Sequence, residues 1–126
     1  MKEIIAIIRP KKVSATKEAL ESLGFPSMTA ISVLGRGKQR GIATELGIDI
    51  RPEALARGKA AGIKYMEYIP KRLLSIVVCS EDVDEIVKTI IKVNQTEQIG
   101  DGKIFVCPVE DAIRVRTDEQ GNIAIK

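Results

Sequence analysis

The chain has 126 residues and a mass of 13.8 kDa, with 20 Lys plus Arg against 17 Asp plus Glu. This length suits one compact unit, so we expect residues 1–126 to form a single domain. A net charge of +3 is too small for a dedicated nucleic-acid binder, and four aromatic side chains make a poor base-stacking platform. The absence of histidine excludes histidine-based acid–base catalysis and the commonest metal ligand.

The N-terminal apolar run and the cysteines indicate the cellular setting. The run ends before Arg9 after five residues, which is too short for a signal-peptide core or a membrane span. Cys79 and Cys107 each lie in an apolar, strand-like run, which predicts reduced core residues rather than a disulfide or metal pair. We therefore expect a soluble, cytoplasmic protein.

The predicted elements follow the order βαβ twice. The 19 Ile and 10 Val residues favour sheet. Apolar runs and turn residues predict four strands at residues 4–8, 28–34, 73–79 and 103–108, and helical spacing predicts helices over 13–23 and 83–91. This order predicts an α+β, ferredoxin-like fold: an antiparallel sheet with two helices on one face.

Three local patterns refine this prediction. Asp82 followed by Glu85 resembles a capping box at the start of the second helix, whose apolar stripe runs from Val83 to Ile91. Residues Ile113 to Arg116 start a fifth, short extended segment. The sequence from Glu119 to Asn122 predicts a turn.

The central segment, residues 36–72, differs from both halves. It is rich in glycine, and we predict a long projecting loop with a short helix over 52–61. It carries nine basic and four acidic side chains, a net charge of +5, whereas the other 89 residues carry −2. The basic excess indicates anionic metabolites and an acidic protein surface as partners.

One candidate binding group lies near the C-terminus. In Gly100-Asp101-Gly102-Lys103, glycines let phosphates approach backbone N–H groups and the lysine adds a positive charge. On an extended strand Arg114 and Arg116 would share a face and suit a polyphosphate. The alternative is a tight hairpin followed by an edge strand protected by charge.

Two further groups lie at the ends of the central segment. Residues 35–41, Gly-Arg-Gly-Lys-Gln-Arg-Gly, are similar to a backbone nest for an anion, although a solvated loop base is the alternative. They match neither a P-loop nor a dinucleotide-binding fingerprint. At the other end, Lys71 could reach a carboxylate bound near the segment's start, or it is part of an ordinary surface basic pair with Arg72.

The acidic residues do not indicate catalysis. A cluster at the start of the second predicted helix is explained by the helix dipole: Glu81, Asp82, Asp84 and Glu85. The sequence shows no nucleophile with a base and no metal-ligand cluster. The pattern therefore indicates binding rather than an enzyme.

Together these motifs resemble the PII signal-transduction proteins. The run from Thr96 to Glu119, TEQIGDGKIFVCPVEDAIRVRTDE, is similar to the family's C-terminal signature. The opening IIAIIRP and the GRGKQRG motif match the same family in the same order. The resemblance covers nearly the whole chain except the inside of the central segment.

The resemblance implies a trimer with nucleotide sites between neighbours, where ATP and ADP compete and 2-oxoglutarate joins MgATP. The central segment would be the T-loop, which changes shape and docks onto a target. Residues implied to bind the nucleotide are Ile7, Thr29, Gly37, Lys38, Val77, Gly100, Asp101, Gly102, Lys103, Arg114 and Arg116. Residues implied to bind 2-oxoglutarate are Gln39, Arg40, Gly41 and Lys71, and Gln39 would also complete the coordination of Mg²⁺.

The departures from the family pattern are informative. The usual T-loop tyrosine segment that can be uridylylated is missing, and the segment is longer than usual. Ser75 stands where many members have an acidic residue, and Asp118 replaces a common glycine. Residues 35–39 are similar to the archaeal nitrogen-fixation branch, whose members work as paired sister subunits and inhibit nitrogenase directly.

Four functions follow as hypotheses. The first is a 2-oxoglutarate and adenylate sensor that regulates nitrogenase with a sister subunit. The second is a PII protein acting on another target, such as an ammonium channel, glutamine synthetase or a biosynthetic kinase. The third is a small phosphotransferase or hydrolase using the same basic cleft, and the fourth is RNA binding on the sheet.

Overall fold

A computed structural model describes residues 1–37 and 68–126. Four strands and two α-helices occur in these ranges: β1 (Lys2–Ile8), α1 (Val13–Ser22), β2 (Thr29–Gly35), β3 (Ile69–Val78), α2 (Val83–Asn94) and β4 (Lys103–Pro108). Short 3₁₀ helices precede both α-helices, and a third spans Gly121–Ile125. None of the helices in these ranges is long and apolar enough to cross a membrane.

The four strands form one antiparallel sheet in the order β2-β3-β1-β4. Alternate side chains face opposite sides, so Ile4, Ala6 and Ile8 of β1 are buried under the helices. The other side, called the open face below, carries Ile7 of β1 and Phe105 of β4. The predicted ferredoxin-like α+β fold is confirmed.

The core lies between the sheet and the two helices. Leu20 of α1 and Ile86 and Ile90 of α2 are almost fully buried against β1 and β3. Each such side chain contributes about 1.5–3 kcal/mol by leaving water. Only the last residue of the predicted α2 stripe departs, because Ile91 remains 44% exposed.

Strand β3 begins earlier than predicted. It starts at Ile69 rather than Leu73, so the last four residues of the predicted projecting loop, 69–72, belong to the sheet. The pairing of β3 with β1 ends where Arg72 pairs with Ile8, so residues 69–71 pair with β2 alone. Pro70 is tolerated there because its missing N–H group is not needed by a strand on that side. The predicted helix over residues 52–61 lies outside the described residues.

The start of α2 corrects the capping prediction. Asp82 has helical backbone angles and makes no side-chain capping hydrogen bond, because the 3₁₀ helix Ser80–Asp82 leads directly into α2. The backbone therefore enters the helix already coiled, and a capping box with Glu85 does not form. Asp84 and Glu85 still lie in the first turn, where the helix dipole favours negative charge.

The predicted fifth strand is wrong. Only one isolated bridge, between Ile113 and Gln120, forms after β4, and residues 115–117 make a turn. The turn closes when the N–H of Asp118 donates to the carbonyl of Arg114 at 2.8 Å, and Asp118 adopts a left-handed conformation with φ 59°. Arg114 and Arg116 therefore do not lie side by side on an extended strand.

Cys79 and Cys107 are both free thiols. Cys79 is buried after β3 and is a core residue as expected. Cys107 is half-buried on β4, opposite Glu3 of β1, and therefore lies on the open face rather than in the core.

Candidate effector-binding site

A cavity of about 300 Å³ opens where β1 ends and β3 begins. Its third wall is the loop that joins α2 to β4, residues 95–102, called the glycine loop below. Six predicted ligand residues line this cavity: Ile7, Gly37, Lys71, Gly100, Gly102 and Lys103. The fold thus brings together residues from three separated parts of the sequence.

Gly102 allows the closest approach between the glycine loop and the sheet. Its φ is +123°, a conformation that favours glycine, and a Cβ atom there would lie 2.1 Å from the carbonyl oxygen of Ile7. Gly100 also has a positive φ, of 100°. These two glycines let the loop lie directly against the end of β1, so a ligand in the cavity meets backbone rather than side chains.

Lys71 is a buried lysine on the open face of β3. It is 7% exposed, and its Nζ donates a hydrogen bond to the carbonyl oxygen of Gly100 at 2.7 Å. The contact joins the C-terminal end of the central segment to the glycine loop. The lysine is therefore at the cavity as predicted, and it is an internal contact of the site rather than part of a surface basic pair.

Lys103 is an exposed cation of the cavity, which the exposed Arg36 also lines. It begins β4, pairs across the sheet with Ile7 and is solvent-exposed. Within residues 1–37 and 68–126 its amine makes no hydrogen bond or ion pair. An exposed amine beside two glycines is suited to an anionic group such as a phosphate.

Asp101 has a different position from its neighbours. Its carboxylate accepts hydrogen bonds from the backbone of Thr96 and Glu97 and from Arg9. Burial raises the pKa of Asp101, but these hydrogen bonds outweigh that effect and hold the pKa far below its usual value of 3.8. The carboxylate is ionised and already saturated, so we find no capacity for a nucleotide contact.

Of the two arginines after β4, one makes internal hydrogen bonds and the other is exposed to solvent. Arg114 donates to the Glu119 carboxylate at 2.8 Å and to the backbone oxygens of Ile123 and Lys126 at 2.9 and 2.8 Å. Arg116 is exposed, and among the described residues its guanidinium has no partner. Neither arginine lines the cavity.

Thr29 and Val77 also lie away from the cavity. Val77 of β3 pairs with Glu3 of β1, whereas the cavity residue Ile7 pairs with Leu73. The two positions are thus four residues apart along the strands, or about 13 Å. Thr29 pairs with Ser75, near Val77. The residues that the sequence predicts as one nucleotide-binding set therefore lie in two separate groups within a single chain.

Ser75 on β3 is hydrogen-bonded to an acidic residue of the neighbouring strand. Its hydroxyl donates a hydrogen bond to Glu3 Oε2 at 2.6 Å, across the pairing of β3 with β1. Both side chains are on the open face, near Thr29 and Val77. A carboxylate is thus present at this part of the sheet, supplied by the neighbouring strand.

The remaining predicted ligands lie outside the described residues: Lys38, Gln39, Arg40 and Gly41. In the ranges that the structure covers, no group of three acidic or cysteine side chains could hold a metal ion. Sequence reasoning overlooked Arg9, which is 7% exposed and bound to Asp101. A charged residue that ends an apolar strand was the available signal.

Comparisons with known proteins identify the family. The family model "Nitrogen regulatory protein P-II" matches residues 1–119. The nitrogen fixation nifHD1 region GlnB-like protein 2 of Methanosarcina barkeri is 59% identical over 126 residues, covering all of both chains. The corresponding nifHD region protein 2 of Methanobacterium ivanovii is 56% identical and covers 99% of each chain.

A solved structure supports the same assignment. The crystal structure of Arabidopsis thaliana PII bound to citrate superposes with a TM-score of 0.72 and 32% identity, covering 99% of this chain and 89% of that one. The match spans the fold and the sequence together. The chain belongs to the PII family of nitrogen regulatory proteins, whose members are signal-transduction regulators rather than enzymes.

Proposed function

We propose that this chain senses 2-oxoglutarate together with ATP and ADP, and regulates nitrogen fixation by direct binding of its central segment to nitrogenase. The observation that carries the proposal is the cavity at the base of that segment. There Lys71 touches Gly100, and the exposed amine of Lys103 stands beside Gly102. A ligand in this position contacts both the sheet and the segment that would recognise the target.

The nucleotide site in this proposal is shared between neighbouring subunits. One chain supplies the cavity group, including Ile7, Gly37 and Lys38, and its neighbour supplies the second group: Thr29, Val77 and Arg116. Arg114 belongs to this second group through the C-terminal segment, which its internal hydrogen bonds hold in place. The separation of about 13 Å along the strands supports this division, because the two groups do not line one common cavity within a single chain. We therefore propose that residues 1–126 act as one domain in a trimer or a mixed oligomer.

The 2-oxoglutarate site lies where the two ends of the central segment meet. Lys71 holds one carboxylate, and Gln39, with Arg40 and Gly41, completes the site from the other end. Gln39 would hold the Mg²⁺ ion that arrives with ATP, and this ion would supply positive charge for the phosphates and for 2-oxoglutarate. The citrate bound to the plant relative supports a small polycarboxylate as an effector. A ligand that binds one conformation of the segment better shifts the population toward it.

The relatives' names support nitrogen fixation as the regulated process. Both archaeal relatives are nif-region proteins numbered 2, which supports a companion subunit numbered 1. The net charge of +5 on residues 36–72 favours an acidic surface on the target. These observations are consistent with a cytoplasmic regulator that acts on nitrogenase, a soluble enzyme. Another nitrogen-metabolism target, such as an ammonium channel or glutamine synthetase, is the alternative within the same family.

Calorimetry tests the sensor. We expect 2-oxoglutarate to bind only when MgATP is present, and Gln39→Ala to weaken 2-oxoglutarate selectively while MgATP binding is retained. Lys71→Ala also removes the donor to the carbonyl of Gly100, so we expect it to weaken 2-oxoglutarate more than MgATP. The exposed helix variant Lys17→Ala, which removes the same charge on α1, serves as the control. Tight binding of 2-oxoglutarate without nucleotide contradicts the shared-site mechanism.

Affinity purification tests the target. The tagged chain is recovered from nitrogen-starved cells after ammonium addition, and its partners are identified by mass spectrometry. We expect nitrogenase subunits and a sister PII chain, released by 2-oxoglutarate with MgATP. Recovery of a membrane channel or glutamine synthetase without nitrogenase selects the alternative target.

A further inference from the structure

The glycine loop holds an unusual backbone conformation. Three of its residues have positive φ values: Glu97 at 67°, Gly100 at 100° and Gly102 at 123°. For Glu97 this conformation costs about 1–2 kcal/mol, because its Cβ atom crowds the following carbonyl. A loop with this shape needs fixed partners to keep it populated.

The carboxylate of Asp101 supplies those partners from inside the loop. Its Oδ2 accepts the backbone N–H groups of Thr96 and Glu97 at 2.6 and 2.8 Å. Its Oδ1 accepts the hydroxyl of Thr96 as well. Thr96 thus donates two of these three hydrogen bonds, one from its backbone and one from its side chain. The third is donated by the backbone N–H of Glu97, the residue with the strained conformation. The start and the end of the loop are thereby joined.

Arg9 connects this arrangement to the sheet. It follows β1 directly and is buried, and its Nη1 donates to Asp101 Oδ1 at 2.6 Å. Its Nη2 donates to the carbonyl oxygen of Ile99 at 3.1 Å. The guanidinium of Arg9 thus donates hydrogen bonds to both the carboxylate and the main chain of the loop. Lys71, from β3, holds the next carbonyl, that of Gly100.

The consequence for a ligand follows from charge. A free carboxylate beside Gly100, Gly102 and Lys103 would repel a phosphate, but Arg9 offsets that charge and the hydrogen bonds keep the oxygens turned toward the loop. Asp101 is absent from the described residues that line the cavity, whereas both glycines and Lys103 line it. The acid shapes the loop, and its neighbours meet the ligand.

We propose that Arg9 and Asp101 are positioning residues that hold the glycine loop in the conformation that binds the phosphate chain of the nucleotide. The inference rests on the proposed adenylate site and replaces the direct nucleotide contact predicted for Asp101. It assigns affinity for the phosphates to the ion pair between the buried Arg9 and the partly exposed Asp101. The loop is then preorganised before the ligand arrives, which lowers the entropic cost of binding.

The main test is Asp101→Asn in the full chain. An amide keeps the size of the side chain but has a single acceptor oxygen, so its NH₂ group faces either Arg9 or the two backbone N–H groups. We expect the affinity for MgATP to fall roughly 10- to 100-fold. Binding of adenosine, measured by ligand-observed NMR, stays within about 2-fold, because adenosine has no phosphate for the loop to hold. Asp84→Asn, on the exposed first turn of α2, is the matched control and binds both ligands like the wild type.

The outcomes separate the two proposals. If the wild type binds neither MgATP nor ADP, the proposed function fails. If the wild type binds MgATP and Asp101→Asn binds it equally well, the positioning role fails while the proposed function stands. An equal loss of adenosine and MgATP affinity also overturns the positioning role, because general destabilisation lowers both together.

Thr96 supplies a second test should Asp101→Asn not fold. Thr96→Val removes the hydroxyl that donates to Asp101, and Thr96→Ser keeps it. We expect a loss of MgATP affinity of about 3- to 10-fold for the valine variant and rescue to near wild type by serine. Equal MgATP affinity in the valine and serine variants contradicts the inference.

Discussion

The glycine loop and the C-terminal segment, residues 109–126, use their charges in opposite ways. In the glycine loop the acid Asp101 is engaged by the buried Arg9, which leaves the cation Lys103 exposed at the cavity. The loop is therefore built by an ion pair that is separate from its candidate phosphate ligand.

In the C-terminal segment Arg114, a predicted phosphate ligand, stabilises the local structure itself. Arg114 holds Glu119 and two backbone oxygens of the following residues, and Arg116 alone is left exposed. Two arginines that look equivalent in the sequence thus have different tasks in one chain. The comparison teaches that a basic residue near a site is a candidate ligand only after its internal partners are counted.

The largest expected effect tests the close approach of the glycine loop. Gly102→Ala places a Cβ atom against the carbonyl of Ile7, in a strained conformation. We expect a loss of about 2–4 kcal/mol in the free energy of unfolding and loss of measurable MgATP binding. Urea denaturation and calorimetry measure the two effects. Gly37→Ala, where no atom of residues 1–37 and 68–126 lies within 4 Å of the added Cβ, should change stability by less than about 0.5 kcal/mol. Equal stability of both variants breaks the argument.

The next prediction concerns acid stability. Burial raises the pKa of Asp101, but its hydrogen bonds dominate, so the folded protein keeps the carboxylate ionised far below 3.8. A lowered folded pKa stabilises the protein above the unfolded pKa, and that contribution is lost as the pH falls below it. The stability difference between wild type and Asp101→Asn is therefore constant above about pH 5 and narrows toward about pH 2. Urea denaturation across this range checks it, and a difference that grows on acidification contradicts it.

A smaller effect separates the two arginines. Arg114→Met leaves Glu119 and two backbone oxygens without their donor, so we expect a loss of about 1–3 kcal/mol in the free energy of unfolding. Arg114→Lys keeps the charge but cannot reproduce the fork, and should recover only part of the loss. Faster hydrogen exchange at the amide of Gly121 in the methionine variant would locate the effect. Unchanged stability in both variants would remove the structural role.

The smallest effect on stability is expected for Arg116. Because its guanidinium has no partner among the described residues, Arg116→Met should change the free energy of unfolding by less than about 0.5 kcal/mol. If the residue meets phosphates from a neighbouring subunit as proposed, the same variant lowers MgATP affinity about 10-fold. Lys17→Gln, exposed on α1, is the control for loss of a positive charge. An Arg116 variant with wild-type affinity would limit the shared site to the remaining residues.

Much of the fold was predictable because its signals are local. The bounds of β4, Lys103–Pro108, were predicted correctly, since an apolar run begins after two glycines and ends at proline. The spacing of Ile86 and Ile90 predicted the buried face of α2. The start of β3 was missed because Pro70, Lys71 and Arg72 are unusual strand residues, and pairing with β2 decides their conformation.

The sequence by itself determined the family, the βαβ order and the residue types of the site, because these follow from periodicity and from motifs of neighbouring residues. Only the tertiary structure decided which of those residues are available to a ligand. Arg9 and Asp101 are 92 positions apart, and no local pattern joins them. Arg114 turns to the residues that follow it because the predicted strand is a turn. Availability depends on which partners folding brings within hydrogen-bonding distance, and that is a property of the whole chain.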